Sequence, residues 1–307
     1  MKKAVDKRVF LVAAGTMALI VLLVVLPVPG TSHETDSDKL VVAVTIVPQA
    51  GLVEAIGGDK VKVLVMVPPG ASPHTYEVTH EQMTTLSRAK MYVKVGSGVE
   101  FELAWMDKLI AVNVSMRVVD CSEGIRVLEM DEDHYDHDHE HDHGRTGLDP
   151  HIWLSVRNAM IMAQNICAGL VQVDPANQDY YEENRTDYLE QLAKLDSEIT
   201  ESLSEVENRR FIVFHPAWGY FARDYKLIQI AVEQDGKEPH AQYQGRLIEE
   251  AREHDIRVVF LSPQYPTKSA EVISREIGGG VVIIDPLAKD FIGNMRAVAS
   301  AMKEAMQ

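Results

Sequence analysis

Cysteine is nearly absent from this 307-residue chain, which contains only Cys121 and Cys167. One follows a predicted strand and the other sits in a predicted helix. A disulfide between them is permitted in an oxidising compartment but not indicated, and two buried free thiols are expected. Clustered basic residues are also missing, which argues against a nucleic-acid partner. The zinc-protease helix H-E-x-x-H does not occur, since its nearest approach, His80-Glu81, lacks the second histidine. No close sequence repeat relates the two halves of the chain.

What the chain has in excess is acid, and much of it lies in one place. The formal net charge is −16. Eight carboxylates (Glu129, Asp131, Glu132, Asp133, Asp136, Asp138, Glu140, Asp142) fall between residues 129 and 143 without a Lys or Arg. Interleaved with them are His134, His137, His139, His141 and His143. Alternating imidazole and carboxylate has too little apolar surface to offset the entropy of ordering, so no packed core forms there. Neutral imidazole is the commonest side-chain ligand of borderline metals. The run, about 129–145, therefore reads as an auxiliary loop that gathers metal weakly.

The N-terminus reads as a targeting element. Lys2, Lys3, Lys7 and Arg8 precede an uncharged apolar run from Val9 to Leu26, 18 residues long, followed by Pro27, Pro29 and Gly30. That run just reaches membrane-spanning length and is longer than a usual signal-peptide core. No A-x-A-like cleavage site is evident. An uncleaved anchor is favoured over a cleaved signal, and either places the remainder outside the cytoplasm, membrane-anchored or secreted.

From residue 39 onward, strands alternate with helices. Predicted strands lie at 40–47, 61–67, 91–95 and 117–120, with helices at 49–56, 79–89 and 101–109. The rhythm resumes with strands at 211–214, 227–232, 257–261 and 281–284, and helices at 241–254, 267–277 and 294–306. Such alternation predicts two parallel-sheet α/β lobes. Between them, apolar residues at Tyr180, Tyr188, Leu192, Leu195, Ile199, Leu203 and Val206 recur at helical spacing. Neither glycine nor proline interrupts residues 176–206, a predicted helix of 31 residues or roughly 46 Å. The expected organisation is a signal or anchor at 1–38, an N-terminal lobe at 39–175, a linking helix at 176–207 and a C-terminal lobe at 208–307.

Ligands of open α/β sheets gather beyond the carboxyl ends of the strands. His74, His215 and Asp285 each follow a predicted strand, and His151 lies in a turn before a helix. Two facing lobes would aim these four into one cleft. Three imidazoles and one carboxylate form a four-coordinate set that zinc accepts.

The segments carrying these residues are Ser72-Pro73-His74-Thr75-Tyr76-Glu77, Asp149-Pro150-His151-Ile152-Trp153-Leu154, His215-Pro216-Ala217-Trp218-Gly219-Tyr220-Phe221, Glu238-Pro239 and Asp285-Pro286-Leu287. In order and content they resemble the signature segments of the zinc/manganese family of ABC-importer solute-binding proteins, and the resemblance spans residues 40–307. The His- and acid-rich insertion before the second histidine resembles the zinc-specific branch.

The resemblance implies two α/β lobes joined by one long helix, with the metal in the cleft between them. Its ligands would be His74, His151, His215 and Asp285, with Glu77 and Asp149 as candidates for orienting ligand imidazoles. Manganese-type members usually carry Glu at the third position, so His215 favours Zn2+ over Mn2+. The implied function is zinc capture and delivery to a membrane permease with a cytoplasmic ATPase, by a monomer that performs no bond-making. Alternatives are a receptor for manganese or another divalent metal, an extracellular metal buffer or adhesin, and, less favoured, a zinc hydrolase. Two departures from the family pattern are Ser262, where many members have Glu, and the missing N-terminal lipoprotein cysteine.

Overall fold

The computed structural model describes residues 39–129, 147–233, 237 and 239–307. The expected targeting segment, the five-histidine run and Glu238 lie outside the described residues. Among those described, no helix is long and apolar enough to cross a membrane.

The first sheet contains β1 (Leu40–Val44), β2 (Val61–Val65), β3 (Met91–Lys94) and β4 (Arg117–Asp120), all parallel and ordered β2-β1-β3-β4. The second contains β5 (Arg210–Val213), β6 (Ile228–Ala231), β7 (Val258–Leu261) and β8 (Gly280–Ile283), all parallel and ordered β6-β5-β7-β8. The two orders are the same, although the sequences of the halves do not repeat. In each sheet the order reverses between its first and third strands in chain order, and that is where open α/β sheets place their ligands.

Central strands read as near-continuous apolar runs because they are covered on both faces. Val42, Ala43 and Val44 of β1 are fully buried, as are Met91, Tyr92 and Val93 of β3. Helices α1 (Val47–Gly57), α2 (His80–Leu86) and α3 (Glu100–Val112) follow the strands of the first lobe. Thr79 caps α2: its hydroxyl accepts from the Gln82 amide, and Gln82 Oε1 accepts in return from the Thr79 amide at 3.0 Å. Beyond β4 the chain forms α4 (Val156–Val173), N-capped by Ser155, which accepts from the Asn158 amide at 3.0 Å.

The long helix is α5 (Gln178–Ser204), 27 residues. It is shorter than the expected span of 176–206 at both ends. Pro175 lacks an N–H and has a fixed φ, so the chain first makes a 3-10 turn over Pro175–Asn177. At the other end the Val206 amide bonds back to Leu203 at 3.4 Å, three residues away, and the helix has already closed. Val206 is still buried, so the apolar pattern continued past the point where the hydrogen bonds stopped. Nor is α5 a bare strut. Its stripe of Tyr181, Tyr188, Leu192, Leu195, Ile199 and Leu203 is buried against α4, α1 and the last helix, α9 (Phe291–Ala305).

The second lobe also contains α6 (Gly219–Tyr225), α7 (Ala241–Glu253) and α8 (Thr267–Glu276). Helix α6 was not expected from periodicity, because its seven residues are too few to show one. It ends at Lys226, held in the left-handed region at φ 58°. Residues from both lobes, including Val44, Leu52, Trp153, Phe221, Phe260 and Met295, belong to one continuous apolar core. A second, smaller core around Phe214, Val259 and Ile273 lies within the C-terminal lobe. Cys121 and Cys167 are both buried and free.

Candidate metal site

Three histidines meet where the two sheets' carboxyl ends face each other. His74 lies on the segment after β2, in a turn where the Thr75 and Tyr76 amides both donate to the Ser72 carbonyl. His215 follows β5 by one residue. His151 sits in a tight turn before α4, with the Ile152 amide donating to Pro150 O and the Leu154 amide to His151 O. The Nε2 atoms of His151 and His74 are 3.4 Å apart, and those of His151 and His215 are 3.1 Å apart. One ligand atom from each of the three lies within 4.8 Å of the others. Zinc–nitrogen bonds of 2.0–2.1 Å in a tetrahedron put ligand nitrogens about 3.3 Å apart. The observed spacings bracket that value.

Each imidazole also has a carboxylate of its own. His74 Nδ1 is 2.6 Å from Glu100 Oε2, His151 Nδ1 is 2.8 Å from Asp149 Oδ1, and His215 Nδ1 is 3.0 Å from Glu233 Oε1. An ionised carboxylate only accepts, so each Nδ1 carries the proton and donates it. The Nε2 atoms are then bare lone pairs, pointed at one another. Three converging lone pairs repel unless a cation lies among them, and outer carboxylates that fix the tautomer are the usual support of metal-binding histidines.

Two of the supporting acids were not singled out in the sequence. Glu100 stands in the first turn of α3, and Glu233 lies just past β6, as His215 lies just past β5. The carboxyl-end rule applied to every strand would have found Glu233. Glu77, expected as an orienting residue, is exposed, and Glu100 is the acid that partners His74. Asp149 accepts both from the His151 ring and from its backbone amide, the latter at 2.9 Å.

Asp285 does not join the three converging atoms. Its Oδ1 accepts from the Leu287 amide at 2.9 Å and from Gln264 Nε2 at 3.1 Å. Tyr265 stacks on the His215 ring, with centroids 5.0 Å apart and planes 24° apart.

The histidines are held by different elements. The His74 turn is tied to α3, through Glu100 and through the Phe101 amide donating to Pro73 O at 3.1 Å. The His151 segment is riveted to the opposite lobe. Tyr220 Oη donates to Asp149 O at 2.7 Å, Trp153 Nε1 donates to Pro286 O at 2.8 Å, and the Ser155 hydroxyl donates to Asp224. Gly219 allows this approach, since a Cβ there would lie 2.6 Å from Asp149 Oδ2. On the first lobe's side, Ser97 Oγ donates to Pro150 O at 2.5 Å.

Free space among the imidazoles is about 20 Å³. That suffices for one water-sized species and is far below what a small organic ligand needs. A larger open groove of about 590 Å³ runs beside α1, α5 and the start of α9. Its two basic side chains are paired, Lys289 with Glu54 and Arg296 with Glu198, and among the described residues no metal-ligand atoms converge in it.

Burial pushes the His215 imidazole down from 6.5 to about 4, against the upward pull of Glu233. It therefore stays neutral, with its lone pair available, through mildly acidic conditions. The unfolded chain takes up this proton below about 6.5, whereas the folded one refuses it until about 4. Between those values the unfolded state binds more protons, so stability rises with pH and is lost as pH falls. The Tm of metal-free protein is expected to drop across this window, and His215→Gln to remove that part of the slope. A slope unchanged in the variant would contradict the assignment.

Two parallel α/β lobes sharing a long helix, with three carboxylate-backed imidazoles between them, define a two-lobed metal-binding protein of the solute-receptor type. Residues 42–305 match the family described as ZnuA, zinc-uptake complex component A, periplasmic, and the chain belongs to that family. It is 31% identical over 224 residues to the high-affinity zinc uptake system protein ZnuA of Bacillus subtilis, covering 72% of this chain and 70% of that one. It is 27% identical over 275 residues to the manganese ABC transporter substrate-binding lipoprotein PsaA of Streptococcus pneumoniae, covering 85% of each. A crystal structure of ZnuA superposes with a TM-score of 0.81 at 42% identity, covering 88% of this chain and 100% of that one.

Proposed function

We propose that this protein captures zinc outside the cytoplasmic membrane and delivers it to an ABC permease powered by a cytoplasmic ATPase. The observation that carries this reading is the meeting of three Nε2 lone pairs at 3.1 and 3.4 Å, each ring's other nitrogen being held by a carboxylate. His74, His151 and His215 are the ligands, and Asp285 serves the fourth side of the site. Glu100, Asp149 and Glu233 fix the tautomers. Nitrogen donors favour zinc over manganese, which prefers oxygen.

The task is binding and release, with no bond-making step. The chain works as a monomer. Residues 1–38 target or anchor it, 39–175 and 208–307 form the lobes, and 176–207 link them. The five histidines at 134–143 are auxiliary collectors.

Competition titration of metal-stripped protein against a chromophoric chelator tests the reading. One tightly held zinc per chain, not displaced by excess manganese, is expected. Preference for manganese would overturn the zinc assignment. Failure of the zinc-loaded protein to stimulate ATP hydrolysis by a reconstituted zinc permease complex would leave only a metal buffer.

A further inference from the structure

The first sheet has a metal-site edge, where its strands end, and an opposite edge, where they begin. The beginnings carry basic residues: Lys39 ahead of β1, Lys60 and Lys62 at β2, Arg88 and Lys90 ahead of β3, and Arg117 opening β4. Asp59 is the one acid among the described residues there. Strand register sets them in a row. Leu40 lies beside Val61, the Lys90 amide donates to Val41 O at 2.9 Å, and the Arg117 amide donates to Lys90 O at 2.9 Å. Across four strands the row spans roughly 15 Å.

An apolar group stands in the same row. Val114, in the turn between α3 and β4, is 85% exposed, and Ile110 and Val112 at the end of α3 are each 39% exposed. That turn is fastened to its neighbour. Asn113 Nδ2 is within hydrogen-bond reach of the Leu86, Ser87 and Ala89 carbonyls, the last at 2.7 Å, which ties it to the turn carrying the exposed Arg88 and Lys90. Helix C-termini gather at this edge and favour basic neighbours. They give no reason to hold a bare valine among them.

Charge is separated along the strand direction. The whole chain carries −16, and the acid-rich run at 129–143 supplies much of it. That run joins the described chain at the metal-site edge, where Glu129 bridges to Leu148 next to Asp149. The edge of strand starts is where the chain arrives from the expected anchor. Only residues 27–38 separate the apolar run from Lys39, a reach of roughly 40 Å at most.

We propose that the strand-start edge of the first lobe rests on a bilayer surface bearing anionic lipid, with Arg88, Lys90 and Arg117 against the headgroups and Val114 entering among them. The inference rests on residues 1–38 keeping the chain at a membrane. Basic side chains close to anionic lipid are attracted to it, and an exposed apolar tip adds burial at headgroup level. The acidic run at the other edge is repelled. The metal site is thereby turned away from the bilayer, towards the medium from which the ion is collected.

Cys121 and Cys167 are buried, so a fluorophore can be placed selectively on Val114→Cys in the full chain. Vesicles of phosphatidylcholine, alone or mixed with phosphatidylglycerol, carry a nitroxide quencher on their headgroups. Quenching is expected in the mixed vesicles and should weaken as salt is raised. The same fluorophore on Glu77→Cys, in the segment carrying His74, should not be quenched. In the triple variant Arg88→Gln, Lys90→Gln, Arg117→Gln, the ratio of docked to undocked chain should fall more than tenfold, since each basic residue near such a surface is worth about fivefold.

Equal quenching in both kinds of vesicle, no quenching in either, or quenching unchanged in the triple variant would overturn the proposal. So would loss of permease stimulation by that variant in neutral vesicles, which would make this edge a protein-docking surface. Flotation of the full chain with neutral vesicles at high salt reads the anchor separately. A chain that fails to float defeats the anchor reading, and the Val114 result in mixed vesicles still decides the edge.

Discussion

Replacing His151 by alanine is expected to abolish stoichiometric zinc binding. His151 is common to both of the short Nε2 separations, 3.4 Å to His74 and 3.1 Å to His215, so its loss takes away one corner of the site and leaves the other two without their common neighbour. The affinity loss should exceed the roughly 10–100-fold that follows removal of an outer hydrogen-bonding partner of a ligand.

The change also takes from Asp149, which is 5% exposed, the ring N–H it accepts and leaves it the backbone amide of residue 151, and losing one hydrogen bond to a buried charged group costs about 1.5–3 kcal/mol. Some loss of Tm should therefore accompany the loss of metal. His74→Ala provides the control, because His74 is half-buried and its acid, Glu100, is partly exposed. Elemental analysis and competition titration should show the tight zinc missing from both variants. One tight zinc per chain retained in His151→Ala would overturn the ligand set.

Replacing His215 by glutamate is expected to move metal preference from zinc towards manganese. An oxygen donor replaces a nitrogen at a site whose other two ligands are unchanged, and harder donors favour manganese. The new carboxylate would also stand near Glu233, which is 6% exposed and held close by the Glu233 amide donating to Phe214 O. Two buried acids at that distance repel until a cation or proton intervenes, so the metal-free variant should be less stable at neutral pH than at pH 5. The ratio of zinc to manganese dissociation constants should rise by about tenfold or more. An unchanged ratio would sink the idea that His215 sets selectivity.

Much of the fold was legible because parallel strands buried on both faces leave continuous apolar runs, as in Val41-Val42-Ala43-Val44 and Val258-Val259-Phe260-Leu261. Strand ends were overestimated. Met66 and Val67 are apolar and buried, and their amides still donate to the Val44 and Thr45 carbonyls, but the ladder has ended. Apolarity reports burial, and burial outlasts regular pairing. Helix α6 was hidden by its shortness, and the first turn of the long helix by a proline that permits 3-10 geometry.

At the site, the three histidines announced themselves by following strands or opening a helix. Their acids were harder to see. Glu100 lies 26 residues from His74 in the chain, and Glu233 lies 18 from His215, so only the fold brings each pair together.

The bonds from Tyr220, Trp153 and Ser155 that rivet the His151 segment to the far lobe have a consequence for the order of events during release. With one apolar core running through both lobes, a wide hinge opening would expose buried side chains and break all three bonds together. The site is thus a bidentate clamp, His151 with His215, plus a monodentate arm, His74 on its turn beside α3. This geometry predicts a stepwise departure in which the arm detaches first. A metal held by the clamp alone would keep two imidazoles in place of three, so moving one short turn would weaken its hold and ready it for transfer.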